Sequence, residues 1–287
     1  MCERTKIIKS FYNRTDEDTR LSRSRHGQTE YLTAMEYIHR YVTDNARILE
    51  IGAGTGKYSI ALAKEGYDVT AVELVESNLD VLRKNGSELQ NLQSYQGDAL
   101  NLSQFRDGAF DITLSFGPMY HLYDKDDVHK AINEAIRVTK EKGVILFAFL
   151  SAYAVLFNNY FNGSLMEGIK ENFTEEYTVR HFKEQLFTGY DIVEFERLFA
   201  DKEVDYLSTV AADSILELAE GRSDFAMSDK EYSAFSKYHL ATCENRELLG
   251  CSSHLLYSVE KDNQIPVHLF HTPFHVSLPC LRLSLIH

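Results

Sequence analysis

Short apolar runs alternate with helix-length amphipathic segments through the first half of the chain. Arg47–Ile51 (RILEI) predicts a strand and Tyr58–Lys64 a helix. Asp68–Val72 (DVTAV) predicts the next strand, followed by a helix through Leu79–Lys84 that stops at Asn85–Gly86. Leu92–Tyr95 and Phe110–Ser115 (FDITLS) read as further strands. A helix over Val128–Thr139 carries Val128, Ala131, Ile132, Ala135, Ile136 and Val138 on one face. Gly143 closes that region, and Val144–Leu150 (VILFAFL) is the most apolar strand. Strands separated by helices require crossover connections, hence a parallel sheet covered on both faces.

The pattern changes after residue 150. Ser151–Tyr190 is rich in aromatic and polar residues and is punctuated by Gly163, Gly168 and Gly189. It reads as an inserted lid or helical subdomain. Regularity returns with a helix near Val193–Asp201, a strand near Val204–Val210, a helix over Ser228–Thr242 and a strand at Ser253–Val259. The two late strands predict an antiparallel edge on the parallel sheet. From Asp262 the chain reads DNQIPVHLFHTPFHVSLPCLRLSLIH, with no acid after Asp262. His268, His271 and His275 offer metal-type donors there. The segment reads nonetheless as an atypical tail, non-native or disordered, and no metal is expected.

Composition narrows the partners. The 287 residues carry a formal net charge of −13, which disfavours a polyanion. The one tight basic cluster is Arg20, Arg23 and Arg25. Cys2, Cys243, Cys251 and Cys280 form no CxxC pair, so they read as reduced thiols rather than a zinc site. No run approaches the roughly 18 apolar residues of a membrane span. These features lead us to expect a cytoplasmic protein, monomeric or homodimeric, with neither nucleic acid nor membrane as partner.

The candidate chemistry lies in Ile48–Leu74, ILEIGAGTGKYSIALAKEGYDVTAVEL. Gly52, Gly54 and Gly56 follow a buried strand and precede a helix whose first amides are free. Glycines there permit positive φ and a close approach of ligand to backbone. A GxxxxGK[ST] phosphate loop would need glycine where Ile51 stands and a hydroxyl residue where Tyr58 stands. A GxGxxG dinucleotide loop would need glycine in place of Lys57. The remaining pattern, E/DxGxGxG with Glu50 as the acid, resembles motif I of class I S-adenosylmethionine-dependent methyltransferases.

Further landmarks extend the resemblance over about residues 40–150. Glu73 lies 17 residues past Gly56, where an acid can accept both hydrogen bonds of a ribose diol. Gly97–Leu100 (GDAL) places Asp98 and Ala99 where the family's acid reaches the adenine amino group and the next amide meets a ring nitrogen. Phe110–Leu122 looks like the strand whose exit floors the active site. The resemblance implies a Rossmann-like α/β three-layer sandwich with a seven-stranded, mostly parallel sheet and an antiparallel edge strand. It implies S-adenosyl-L-methionine as cofactor, a helical N-terminal lid over 1–40, and a methyltransferase domain over 41–261 with an insert at about 151–190. The implied cofactor residues are Tyr12, Arg25, Glu50, Gly52, Ala53, Gly54, Thr55, Gly56, Glu73, Leu74, Asp98, Ala99, Leu100, Ser115 and Phe116. Within that set, Glu50 faces the cofactor's amino group and Arg25 its carboxylate.

Methyl transfer from a sulfonium needs positioning and a dry site, with a base only where the acceptor must lose a proton. Tyr120, His121 and His26 are the candidate catalytic residues. Ser115-Phe116-Gly117-Pro118 stands where amino-methylases of DNA and protein carry N/D-P-P-Y, so the expected acceptor is a small molecule. The insert's aromatics are candidates to wall its pocket. The rival readings are a non-catalytic protein that binds the same cofactor and a nicotinamide-dependent oxidoreductase.

Overall fold

The apolar runs become the strands of a single sheet. The structure, a computed structural model, describes residues 3–262; the histidines of the tail, Cys2 and Cys280 lie outside the described residues. The strands are β1 (Arg47–Ile51), β2 (Asp68–Glu73), β3 (Leu92–Gln96), β4 (Phe110–Ser115), β5 (Thr139–Ser151), β6 (Gly189–Tyr190), β7 (Val204–Ala211) and β8 (His254–Lys261). Their order is β3-β2-β1-β4-β5-β8-β7, with the two-residue β6 paired to the end of β5. β1 to β5 are mutually parallel. β8 runs antiparallel to both β5 and β7. The antiparallel strand is therefore internal, and β7 forms the edge.

The helices are α1 (Glu3–Tyr12), α2 (Arg25–Tyr41), α3 (Lys57–Lys64), α4 (Glu76–Asn85), α5 (Lys125–Val138), α6 (Ala152–Tyr160), α7 (Leu165–Asn172), α8 (Ile192–Arg197), α9 (Leu216–Glu220), α10 (Asp229–Thr242) and α11 (Arg246–Leu249). α5 shows how sequence sets an element. Asp124 accepts from the amides of Asp126 and Asp127 at 2.9 and 3.2 Å, and Val128, Ala131, Ile132, Ala135 and Val138 bury one face. In the insert, α6 and α7 make their own small core around Ala152, Leu156 and Phe173. The aromatics there are largely spent on it or exposed; Tyr177 and Phe161 face solvent. No helix of the described residues is long and apolar enough to cross a membrane.

Strand order reverses between β1 and β4. In an open α/β sheet the crevice outside the carboxyl ends of such strands is where ligands bind. α1 and α2 lie over that crevice and contribute Arg4, Ile8, Phe11, Tyr12, His26 and Glu30 to its lining.

Candidate active site

The turn after β1 requires glycine for two different reasons. Gly52 has φ +77°, and a Cβ there would lie 2.7 Å from the Phe116 carbonyl and 2.8 Å from Pro118 Cδ. At Gly56, φ +86°, a Cβ would meet Leu82 Cγ at 2.6 Å. The first glycine thus brings the turn against the exit of β4, and the last lets it pack on α4. The amides of Gly52 and Ala53 donate to the Val72 carbonyl at 2.8 and 3.1 Å, which fixes the turn to β2.

Three carboxylates surround this turn. Glu73, at the end of β2, accepts from the Gly54 amide at 2.7 Å and the Val75 amide at 2.6 Å. Burial raises its pKa. A carboxylate offers about four acceptor sites, so two remain for a ligand. Glu50 accepts from the Ser59 amide at 2.9 Å and from the Ser59 hydroxyl, both at Oε2. Its Oε1 has no partner among the described residues, and burial pushes its pKa up to about 7. Asp98 accepts from the Leu100 amide at 3.1 Å and from Arg4 Nη2 at 2.6 Å.

All three line one cavity of about 410 Å³ that continues past the β4 exit to β8. Tyr12, Gly52, Ala53, Gly54, Thr55, Leu74, Ala99 and Phe116 line it too, as do Tyr120, His121 and His26. Four expected cofactor residues are not among its lining. Gly56 serves the α4 contact. Leu100 packs against the core and Ser115 is buried. Arg25 turns to α10, where it pairs with Asp229 and lies 4.5 Å over the Tyr232 ring. From the same basic cluster Arg20 and Arg23 line the cavity instead, and Arg20 is the one held by carboxylates. It binds Glu30 bidentately at 2.7 and 3.0 Å and Glu17 at 2.9 Å.

Of the expected catalytic residues, the two histidines are already engaged. His121 Nδ1 donates to the Leu186 carbonyl at 2.7 Å, which leaves Nε2 as acceptor for the Tyr12 hydroxyl at 3.1 Å. Burial lowers the His121 pKa to about 4, so the ring stays neutral. His26 Nδ1 lies 2.5 Å from Glu220 Oε2. Tyr120 is buried, and its hydroxyl takes no hydrogen-bond partner among the described residues. Sequence reasoning missed the far wall altogether: Glu30, Glu217, Ser253 and His254 line the cavity, with the Asp213 carboxylate 2.7 Å behind the His254 ring. These residues meet across long sequence separations, and no local motif marks them.

Residues 49–147 match the family model described as a methyltransferase domain. That stretch is similar to the class I S-adenosylmethionine-dependent methyltransferases, whose cofactor is S-adenosyl-L-methionine. The chain is 31% identical over 121 residues to YqeM of Bacillus subtilis, named as a methyltransferase without a stated acceptor; the match covers 42% of this chain and 49% of that protein. It is 36% identical over 106 residues to the demethylmenaquinone methyltransferase of Clavibacter sepedonicus, covering 37% and 41%. The chain thus spans about half or less of the curated relatives it matches. A geranyl diphosphate C-methyltransferase from Streptomyces coelicolor, solved with S-adenosyl-L-homocysteine, shares the fold at TM-score 0.55 and 14% identity, covering 91% of this chain and 99% of that one.

The residues present fit this cofactor. Its amino group, ribose diol and adenine amine are donors, and the cavity carries carboxylate acceptors in Glu50, Glu73 and Asp98. The turn's glycines remove the Cβ atoms that would stand between main chain and ligand.

Proposed function

We propose that the chain is a methyltransferase that uses S-adenosyl-L-methionine to methylate a small molecule seated at the β8 end of the cavity. The observation that carries this reading is the continuity of one cavity from Glu73 and Asp98 to Tyr120 and His254. Its volume of about 410 Å³ falls within the usual range for small-molecule sites. α1 and α2 cover it, which disfavours a polymer as acceptor.

When bound, the cofactor supplies a methyl group on a positively charged sulfur. Glu73 holds the ribose diol, Asp98 the adenine amine and Glu50 the amino group. Phe116, Tyr58 and Tyr120 wall the path between donor and acceptor and exclude water from it. Tyr58 and Phe116 meet edge to face at 5.1 Å, so this wall is a packed unit. The neutral His121 fixes the Tyr12 hydroxyl, which holds the lid helix in place.

Calorimetry with S-adenosyl-L-methionine tests the reading. Glu73→Ala removes two ligand bonds and is expected to weaken binding roughly tenfold to a hundredfold. Glu73→Gln separates ligand contacts from loop support, since its amide oxygen still accepts from Gly54. Undiminished affinity in the alanine variant would sink the cofactor placement. Methyl transfer to a panel of small amines and phenols distinguishes an enzyme from a protein that only binds the cofactor.

A further inference from the structure

His254 opens β8 opposite Leu150 of β5, at the carboxyl edge of the parallel strands. That is the catalytic edge of the sheet, reached by a residue from the far end of the described chain. Its Nδ1 donates to Asp213 Oδ2 at 2.7 Å. Asp213 is fully buried and held rigidly: its Oδ1 accepts from the Ser252 hydroxyl at 2.6 Å and from the amides of Ser253 and His254 at 3.0 and 3.2 Å. The imidazole lies edge to face against Tyr120 with centroids 5.8 Å apart, and both residues line the cavity. Nε2 has no partner among the described residues. A ring fixed through one nitrogen, with the other left to a ligand, is the arrangement of a general base. The structure withholds it at His121, both of whose nitrogens are engaged, and at His26, whose Nε2 lies 3.4 Å from the Ser24 hydroxyl.

We infer that His254, oriented by Asp213, is the base that takes the acceptor's proton during methyl transfer. This rests on the methyl-transfer reading above and extends it to the acceptor class: a nitrogen or oxygen that carries a dissociable proton. The electron pair of the acceptor's X–H bond forms the X–CH3 bond, the proton passes to Nε2, and the S–CH3 pair stays on sulfur. Asp213 is a positioning residue. Asp213, Glu217 and His254 also bring oxygen and nitrogen atoms within 4.8 Å of one another. The three donors on Asp213 Oδ1 and the imidazole N–H on Oδ2 satisfy both oxygens of the carboxylate and fix the plane of the ring.

The charged groups facing the ring are Glu30, backed by Arg20, from the N-terminal segment, Asp213 after β7, and Glu217 on α9; Tyr120 packs from the turn after β4. Burial alone would lower the pKa of His254. The Glu30 and Asp213 carboxylates reverse this and raise it to about 9. A positive charge arriving across the cavity opposes them and lowers it again. A sulfonium therefore enlarges the neutral fraction of the ring, the form whose Nε2 can accept a proton, and a neutral thioether favours the charged form.

The test needs no acceptor. The full chain, isotopically labelled at histidine Cε1, is titrated by NMR with saturating S-adenosyl-L-methionine and again with S-adenosyl-L-homocysteine. His254→Gln assigns the signal. The midpoint of His254 is expected to lie lower in the sulfonium complex by about one pH unit. Asp213→Asn is expected to lower it in both complexes. Equal midpoints in the two wild-type complexes would overturn the inference alone, because His254 would then lie remote from the reacting centre. If calorimetry shows that neither compound binds, the methyl-transfer reading falls and the inference with it.

Discussion

Glu50 is a carboxylate that folding buries and then ties to a single serine. Its ordinary pKa of 4.5 rises to about 7, chiefly through burial, against which the Ser59 bonds act. A raised folded-state pKa means that the stabilising contribution is present below 4.5 and is lost as pH rises through about 7. Glu50→Gln keeps an acceptor for Ser59 and removes the titration. Relative to wild type, the variant should gain on the order of 3 kcal/mol between about pH 5 and about pH 8. Thermal unfolding at the two values checks this, and a constant difference would contradict the burial argument. Glu50, Glu73 and Asp98 were legible in sequence because each lies at a strand end, where spacing from the glycines fixes its place. Arg20 was legible only as one of three arginines. Ser24 caps α2 through the Gly27 amide, and the helix that follows carries Arg25 away toward α10. His254 and Asp213 gave no signal, because nothing local requires a histidine at the start of a strand.

At the scale of elements, α1 ties down the Asp98 end of the cavity. Arg4 pairs with Asp98 at 2.6 Å, Lys183 pairs with Glu3 at 2.5 Å, and Phe11 packs edge to face on Phe187 at 5.3 Å. Arg4 is itself buried, with an unpartnered Nε, so this pair is far less screened than a surface one. Truncating it as Arg4→Ala should speed release of S-adenosyl-L-methionine roughly tenfold and reduce hydrogen-exchange protection of α1. Stopped-flow dissociation measures the first effect, and unchanged release would show that the helix does not tie down that end. The boundaries of β1 and β4 match their apolar runs, because a doubly covered parallel strand is apolar throughout. β5 starts earlier than its apolar run. Thr139 is buried, but Lys140, Glu141 and Lys142 run out toward solvent at the sheet margin and lack the signature of a buried strand. The place of β8 was not legible, since pairing order depends on contacts between distant segments.

Across the whole molecule, β5 is the spine. It pairs with β4, β6 and β8, and its aromatic residues join the late helices to the sheet. Phe149 stacks on Phe195 with centroids 3.9 Å apart, and Phe199 and Tyr257 close the cluster. Phe195 is fully buried, so Phe195→Ala should cost about 3–5 kcal/mol. Denaturant unfolding would report it, and a loss below about 1 kcal/mol would mean that the cluster collapses onto the gap. The seating of β8 between β5 and β7 also sets an order of events on the ribosome. The glycine turn and its acids emerge early and can pack on β1 to β4. The strand bearing His254 is translated last of the eight, and until it docks β5 offers an open flank to other nascent chains. A polypeptide released before β8 would thus hold the glycine turn and its acids without the wall that bears His254.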